Sequence, residues 1–289
     1  MTTKHSKRDS IAAAETSLFG TLLQSKGEHD LEDLSVAFYD YESSVQYCYN
    51  ADSWFHAAST MKLAILLGLF REIERGILTV DSPVHVRNRF TSIVNREPFQ
   101  IEVGDGDSAV YKSIGRNMPV RELAYWMITT SSNLATNVLI EILGVETIQR
   151  ALEELEIPGL RIIRGVEDTA AYEAGLNNEV TANGLLRLLR VIVEKKAFSR
   201  GASEQMLEIM LDQRYKSGIP AGVPGEAKVA HKTGNISTVH HDAGIVFMED
   251  RKPYVLVVLT RFSPQVGRGK AVAEISREVH SALARLSHA

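Results

Sequence analysis

Apolar positions in this chain fall in short β-rich runs near its two ends and in longer, helix-length runs through its middle. Leu34–Tyr39 and Val45–Tyr49 flank a polar turn at Glu42-Ser43-Ser44 and predict a hairpin. Val229–Lys232, Gly244–Met248 and Tyr254–Thr260 predict three more strands, the last two joined by a charged turn ending at Pro253. From Met61 to Ile73 the only charges after Lys62 are Arg71 and Glu72, which predicts a helix buried nearly all round. Pro119 opens a helix carrying Leu123, Trp126 and Met127. Leu134–Leu143, stopped by Gly144, and Glu146–Leu155, closed by Pro158-Gly159, follow it, and then Thr181–Lys195 and Ser203–Leu211. Ile11–Lys26, ended by Gly27, and Gly267–Leu286 predict terminal helices, while residues 1–10 predict no ordered element and residues 164–180 are polar and irregular.

Strands at both ends and helices between them predict an α+β fold. One antiparallel sheet would hold the hairpin and the three late strands, flanked by the terminal helices, with the all-helical block inserted alongside. The expected units are a discontinuous sheet domain, residues 11–58 plus 212–289, and a helical domain, residues 59–211.

Composition narrows the function classes. At 289 residues and 44% hydrophobic the chain can bury a large core. A net charge of −4 points to neither nucleic acid nor an anionic membrane surface. The single cysteine, Cys48, excludes an intrachain disulfide and a cysteine-rich metal site. No apolar run reaches membrane-spanning length, since Lys62 and Arg71 bracket the longest. Met1–Asp9 is polar and basic, and Ile11–Leu23 is too broken for a signal-peptide core. The chain as written therefore reads as cytoplasmic; a different N-terminus would make it periplasmic or secreted.

Three short motifs carry candidate chemistry. Ser59 and Lys62 stand at the head of the long apolar helix, one turn apart, so a buried amine faces a hydroxyl: a base beside a nucleophile. Ser131-Ser132-Asn133 lies at a break between two helices, and Lys232-Thr233-Gly234 ends a strand, where a cation and a hydroxyl can flank an anion. Taken singly, each has an ordinary structural reading as an N-cap with a snorkelling lysine, a polar turn, or a strand end. His240-His241-Asp242 invites a metal reading, but adjacent strand residues point to opposite faces and would not share an ion, which favours a histidine lining the cleft beside Lys232. Tyr125 and Trp126 read as packing residues.

Taken together and in this order, Ser59-x-x-Lys62, Ser131-x-Asn133 and Lys232-Thr233-Gly234 resemble the signature of class A β-lactamases and penicillin-binding proteins. The string MITTSSNLATN over Met127–Asn137 resembles the family's second motif, and the resemblance runs from about Leu34 to the C-terminus. It implies a β-lactamase/transpeptidase-like fold with its active site between helical block and sheet. It further implies a monomer that acts on a small-molecule β-lactam or peptide-like amide without a cofactor or metal, as in antibiotic resistance. By match to the motifs, Ser59 is the implied nucleophile, Lys62 its activator, and Ser131 the proton relay to the leaving nitrogen. Asn133 binds the substrate amide, Lys232 and Thr233 its carboxylate, and Gly234 lets it approach. The amides of Ser59 and, just after Gly234, Ile236 form the oxyanion hole. The chain departs from the family at Ser132, where aspartate is usual. For the glutamate that activates the deacylating water, a gapless count from Asn137 gives Glu167, whereas similarity to the family's E-x-x-L-N text gives Glu173-Ala174-Gly175-Leu176-Asn177. The count uses more of the chain and favours Glu167. The alternatives to a lactamase are a penicillin-binding receptor, a D,D-peptidase-like enzyme or an esterase on the same scaffold.

Overall fold

A computed structural model describes Gly20, Gln24 and residues 26–102, 108–264 and 270–287. The predicted helix Ile11–Lys26 lies almost wholly outside these residues. The sheet strands are β1 (Leu31–Asp40), β2 (Gln46–Tyr49), β3 (Lys228–Ile236), β4 (Val239–Met248) and β5 (Arg251–Phe262). The longer helices are α1 (Lys62–Glu74), α2 (Val120–Thr129), α3 (Asn133–Leu143), α4 (Val145–Glu154), α5 (Ala182–Val193), α6 (Arg200–Leu211) and α7 (Ala271–Ser287).

All five strands form one antiparallel sheet in the order β3–β4–β5–β1–β2, so the two ends of the chain meet at the β5–β1 seam. There Val36 faces Val258 and Phe38 faces Leu256. The period-two pattern of these strands sorts their side chains onto two faces. Val36, Phe38, Leu256 and Val258 pack with Val272, Ile275 and Val279 of α7. Ala37, Ile245, Val255 and Val257 point the other way, into a core shared with α1, α2, α3, α5 and α6. Within that core α5 lies directly against β1, β4 and β5, so a helix of the inserted block covers the inner face of the sheet.

α1 is the centre of the helical layer, and every residue from Lys62 to Arg71 is buried. Gly68 lets α4 come close: a methyl group there would sit 3.1 Å from Ile148 Cγ1 and 3.2 Å from its Cα. α3 stops at Gly144, whose φ of 74° an L side chain disfavours. Thr181 caps α5 by accepting the Gly184 N–H at 3.0 Å.

Two strands differ from their predicted extents. Pro253, expected in the turn, is inside β5, at a register shift between Val246 and Met248 of β4 where a residue without an N–H costs no ladder bond. β4 begins at Val239, not Gly244, because the polar His240-His241-Asp242 is buried, with His241 and Asp242 bonded to distant partners.

Candidate active site

The turn that carries Ser59 is a single 3₁₀ turn, Ala58–Met61, leading into α1. Its N-cap position is Ala57, so the Ser59 hydroxyl is not consumed by capping. Ala58 has φ of 44°, a left-handed conformation that costs a non-glycine residue about 1–3 kcal/mol. Hydrogen bonds hold it there. Ala57 N–H donates to Asn178 O at 2.8 Å, Ala58 N–H to His56 Nδ1 at 3.0 Å, and Thr60 Oγ1 to Ala57 O at 2.6 Å. Ser59 N–H, in the first turn, has no helical acceptor and remains for a ligand. Ser59 itself is half-buried on the wall of a cavity of about 390 Å³, together with His56, Asn133, Glu167, Tyr172 and Asn235.

Two buried lysines converge on one hydroxyl. Lys62 Nζ donates to Ser131 O at 2.7 Å, Ser131 Oγ at 3.1 Å and Asn133 Oδ1 at 2.8 Å. Lys232 Nζ donates to the same Ser131 Oγ at 3.1 Å and to Thr233 O at 2.9 Å. With both lone pairs of Ser131 Oγ engaged, its own proton points away from the lysines. Burial pulls the Lys232 pKa down to about 7, against the opposing pull of Asp242. Ser131 has φ of 60°, at the break between α2 and α3. The following Ser132, the departure from the family pattern, caps α3 by accepting Ala135 N–H at 3.0 Å and so anchors the loop.

Of the two loop glutamates, the structure brings Glu167 to the site. Its Oε1 accepts from Asn133 Nδ2 at 2.7 Å and its Oε2 from Glu102 N–H at 3.0 Å. Glu173 is exposed at the end of the short helix Thr169–Glu173 and does not line the cavity. The loop is pinned by residues that sequence reasoning passed over. Asn137 on α3 accepts from Val166 N–H at 2.7 Å and donates to Val166 O at 2.9 Å. Arg164 donates to Leu176 O, Gly165 O and Asn177 Oδ1 at 2.6, 2.9 and 3.0 Å. Asp168 caps the short helix and accepts from Ser92 Oγ at 2.8 Å and Ile93 N–H at 3.0 Å. Such residues stand out only as a dense run of side chains able to satisfy irregular backbone.

β3 is an edge strand, and its open edge faces the Ser59 turn. Gly234 makes this possible: a methyl group there would lie 2.9 Å from Thr60 Cγ2 and 3.2 Å from Thr60 N. The expected oxyanion donor needs correction. Ile236 pairs with Val239 across the two-residue turn Ser237–Thr238. The pair that closes such a turn is hydrogen-bonded, so the Ile236 N–H is spent within the sheet. Backbone groups alternate along a strand, which turns Thr233 and Asn235 toward the open edge. The Thr233 carbonyl indeed takes its bond from Lys232 there. Asn235 N–H, not Ile236 N–H, is the donor on the site side.

The histidine pair serves structure. His241 Nδ1 accepts Thr260 N–H at 3.1 Å, so its Nε2 carries the proton and donates to His56 O at 3.0 Å. Burial pushes its pKa down to about 3, which keeps it neutral. Neither His240 nor His241 lines the cavity. Among the described residues no group of three histidine, cysteine or acidic side chains could hold a metal ion, and no helix is long and apolar enough to cross a membrane.

The family model described as the β-lactamase enzyme family matches residues 22–283. The chain belongs to the β-lactamase enzyme family. It is 25% identical over 248 residues to a β-lactamase of Bacteroides uniformis, covering 81% of each protein. With a β-lactamase of Streptomyces fradiae it shares 26% identity over 274 residues, 91% of this chain and 85% of the relative. Among solved structures, PBP-A superposes with a TM-score of 0.79 at 25% identity, covering 93% of this chain and 97% of PBP-A. A β-lactamase from Xanthomonas campestris pv. campestris gives 0.81 at 18% identity over 93% and 98%, a likeness of fold. The β-lactamase-family chain thus has the α+β, β-lactamase/transpeptidase-like architecture, and it is a hydrolase of that family.

Proposed function

We propose that the chain is a serine hydrolase that opens β-lactams through an acyl-enzyme on Ser59. The observation that carries this reading is the Ser131 hydroxyl held by both Lys62 and Lys232 beside a nucleophile turn that leaves Ser59 free.

The three bonds that Lys62 donates are those of its ammonium; once it has lost one proton, its amine takes the proton of Ser59 as Oγ attacks the lactam carbonyl. The oxygen that gains charge is met by the N–H groups of Ser59 and Asn235, an arrangement typically worth about 10²–10³ in rate per donor. As the C–N bond breaks, Ser131 gives its outward proton to the nitrogen and is reprotonated from Lys62. Lys232 and Thr233 hold the substrate carboxylate by charge-assisted bonds, and Asn133 the substrate amide. In the second half, Glu167 takes a proton from water as the hydroxide so formed attacks the ester carbon, and it returns that proton to Ser59 Oγ as the alkoxide leaves.

The likeness to PBP-A, a mutant of which has been seen as an acyl-enzyme complex with penicillin G, motivates a second reading in which acylation is fast and release slow. Steady-state hydrolysis of a chromogenic cephalosporin, followed by intact mass, separates the two. Sustained turnover supports the hydrolase; a stoichiometric burst with a persistent adduct supports the binder; no adduct and no turnover overturns both.

A further inference from the structure

His56 stands three residues before Ser59 and belongs to none of the motifs. It lines the same cavity, and it is held from two sides. Its ring Nδ1 accepts the N–H of Ala58, and its carbonyl accepts the Nε2–H of the buried His241. Phe55–His56 pairs with Val180 and Glu179, which fixes the backbone below the ring. The ring meets Tyr172 edge-on at 6.1 Å between centroids.

The bond to Ala58 fixes the tautomer. An Nδ1 that accepts carries no proton, so the neutral ring is protonated at Nε2. A protonated ring would have N–H at both positions, and its Nδ1–H would face the Ala58 N–H, donor against donor. Ala58 is the left-handed residue directly before the nucleophile, and Ser59 N–H is one of the two oxyanion donors. Losing that cap therefore loosens both the hydroxyl and the amide that chemistry needs.

We propose that His56 is a positioning residue for the nucleophile, which holds the Ala58–Ser59 turn in its reactive form only while its imidazole is neutral. The charged and titratable groups around it are consistent with a neutral ring. Burial, and then the guanidinium of Arg164, lower its pKa from the usual 6.5. His241 behind it is neutral, the Tyr172 ring stands at 72° to it, and Glu179 opposite it is ion-paired with Arg161. Glu167 and Asp168 share the cavity but are engaged by Asn133 and by Ser92 and Ile93.

The inference rests on Ser59 being the nucleophile. The test is the acylation rate by a penicillin across pH in the wild type, His56→Asn and His56→Ala, with NMR of the Ala58 amide and the His56 ring in the wild-type protein. Asparagine can accept from the backbone N–H two residues on and does not titrate. The wild type is expected to lose one more proton's worth of rate on the acid side than His56→Asn, about tenfold per pH unit below the His56 midpoint. The base step adds a dependence common to all three. His56→Ala is slow at every pH, and the Ala58 amide shift follows the His56 ring titration. Identical acid limbs in wild type and His56→Asn, or an Ala58 amide that ignores the ring, overturn the proposal. A wild type that forms no Ser59 adduct overturns the parent reading instead, and the Ala58 amide then decides the cap by itself.

Discussion

At the scale of single residues, Lys232 and Glu167 divide the two halves of the proposed reaction. Lys232 is wholly buried, and burial brings its pKa near 7, so it loses its charge as pH rises through that value. Its value to a substrate carboxylate is electrostatic and fades in the same interval. For a carboxylate-bearing lactam, kcat/KM should fall above about pH 7, because that ratio reports the free enzyme. The methyl ester of the same lactam should lack this limb. Matching profiles for acid and ester would show that Lys232 does not read the carboxylate. Glu167 acts later. Glu167→Gln should leave acylation nearly intact and trap the acyl-enzyme, since amide nitrogen cannot take the water's proton, while Glu173→Gln should turn over like the wild type. Intact mass against time after a pulse of penicillin distinguishes them, and a trap at Glu173 would reverse the assignment.

At the scale of elements, the site is four pieces of backbone brought to one cavity: the end of β3, the 3₁₀ turn before α1, the start of α3, and the loop 164–178. Asn137 is the tie between the last two, answering both backbone groups of Val166, and Gly165 beside it has no room for a side chain, whose Cβ would lie 2.7 Å from Asn137 Oδ1. Asn137→Ala leaves both Val166 groups short of partners, at about 1–3 kcal/mol each where buried. Glu167 is the next residue, so the loss should appear in deacylation: single-turnover experiments should find the adduct released at least about tenfold more slowly, with acylation changed less. A larger defect in acylation would place Asn137 in service of α3 instead. Gly144 after α3, Thr181 before α5 and the string Met127–Asn137 were legible because caps and motifs act over a few residues. Glu173 was tempting because its neighbours resemble a family text, but it sits at the exposed end of a five-residue helix. Spacing from Gly234 favours the Ile236 N–H, but the pairing of Ile236 with Val239 turns Asn235 toward the open edge, because the parity of β3 depends on the turn at Ser237–Thr238, which spacing alone does not reveal. The apolar run that predicts this strand starts only at Gly244, because the polar His240-His241-Asp242 meets partners, Thr260, His56, His231 and Ile219, that are remote in the chain.

At the scale of the whole molecule, two units drawn on the sequence at residues 58 and 211 meet in a single core. Ala37, Ile245, Val255 and Val257 from the sheet pack in the same cluster as Leu63, Met127, Leu139, Leu185 and Met206. A division into separately stable halves would expose that shared surface. Thermal or urea unfolding is therefore expected as one transition, with far-UV circular dichroism and tryptophan fluorescence coincident. Ile245→Ala, at the centre of the shared core, should shift both signals together, by about 2–5 kcal/mol. Two resolved transitions, only one of them moved by Ile245→Ala, would show that the sheet and helical layers fold independently. The gross architecture was legible because β-rich runs lie at the two ends of the chain and helix-length runs between them. That α5 would cover the sheet was not, since its apolar face is as suited to a helical neighbour.

The central claim is that one hydroxyl, that of Ser59, becomes covalently attached to substrate. The most direct measurement is mass-spectrometric peptide mapping after exposure to a penicillin, in the wild type and in Ser59→Ala. The account predicts one adduct per chain, on the peptide that contains Ser59, and none in Ser59→Ala. An adduct on another residue, or equal labelling of Ser59→Ala, would contradict it.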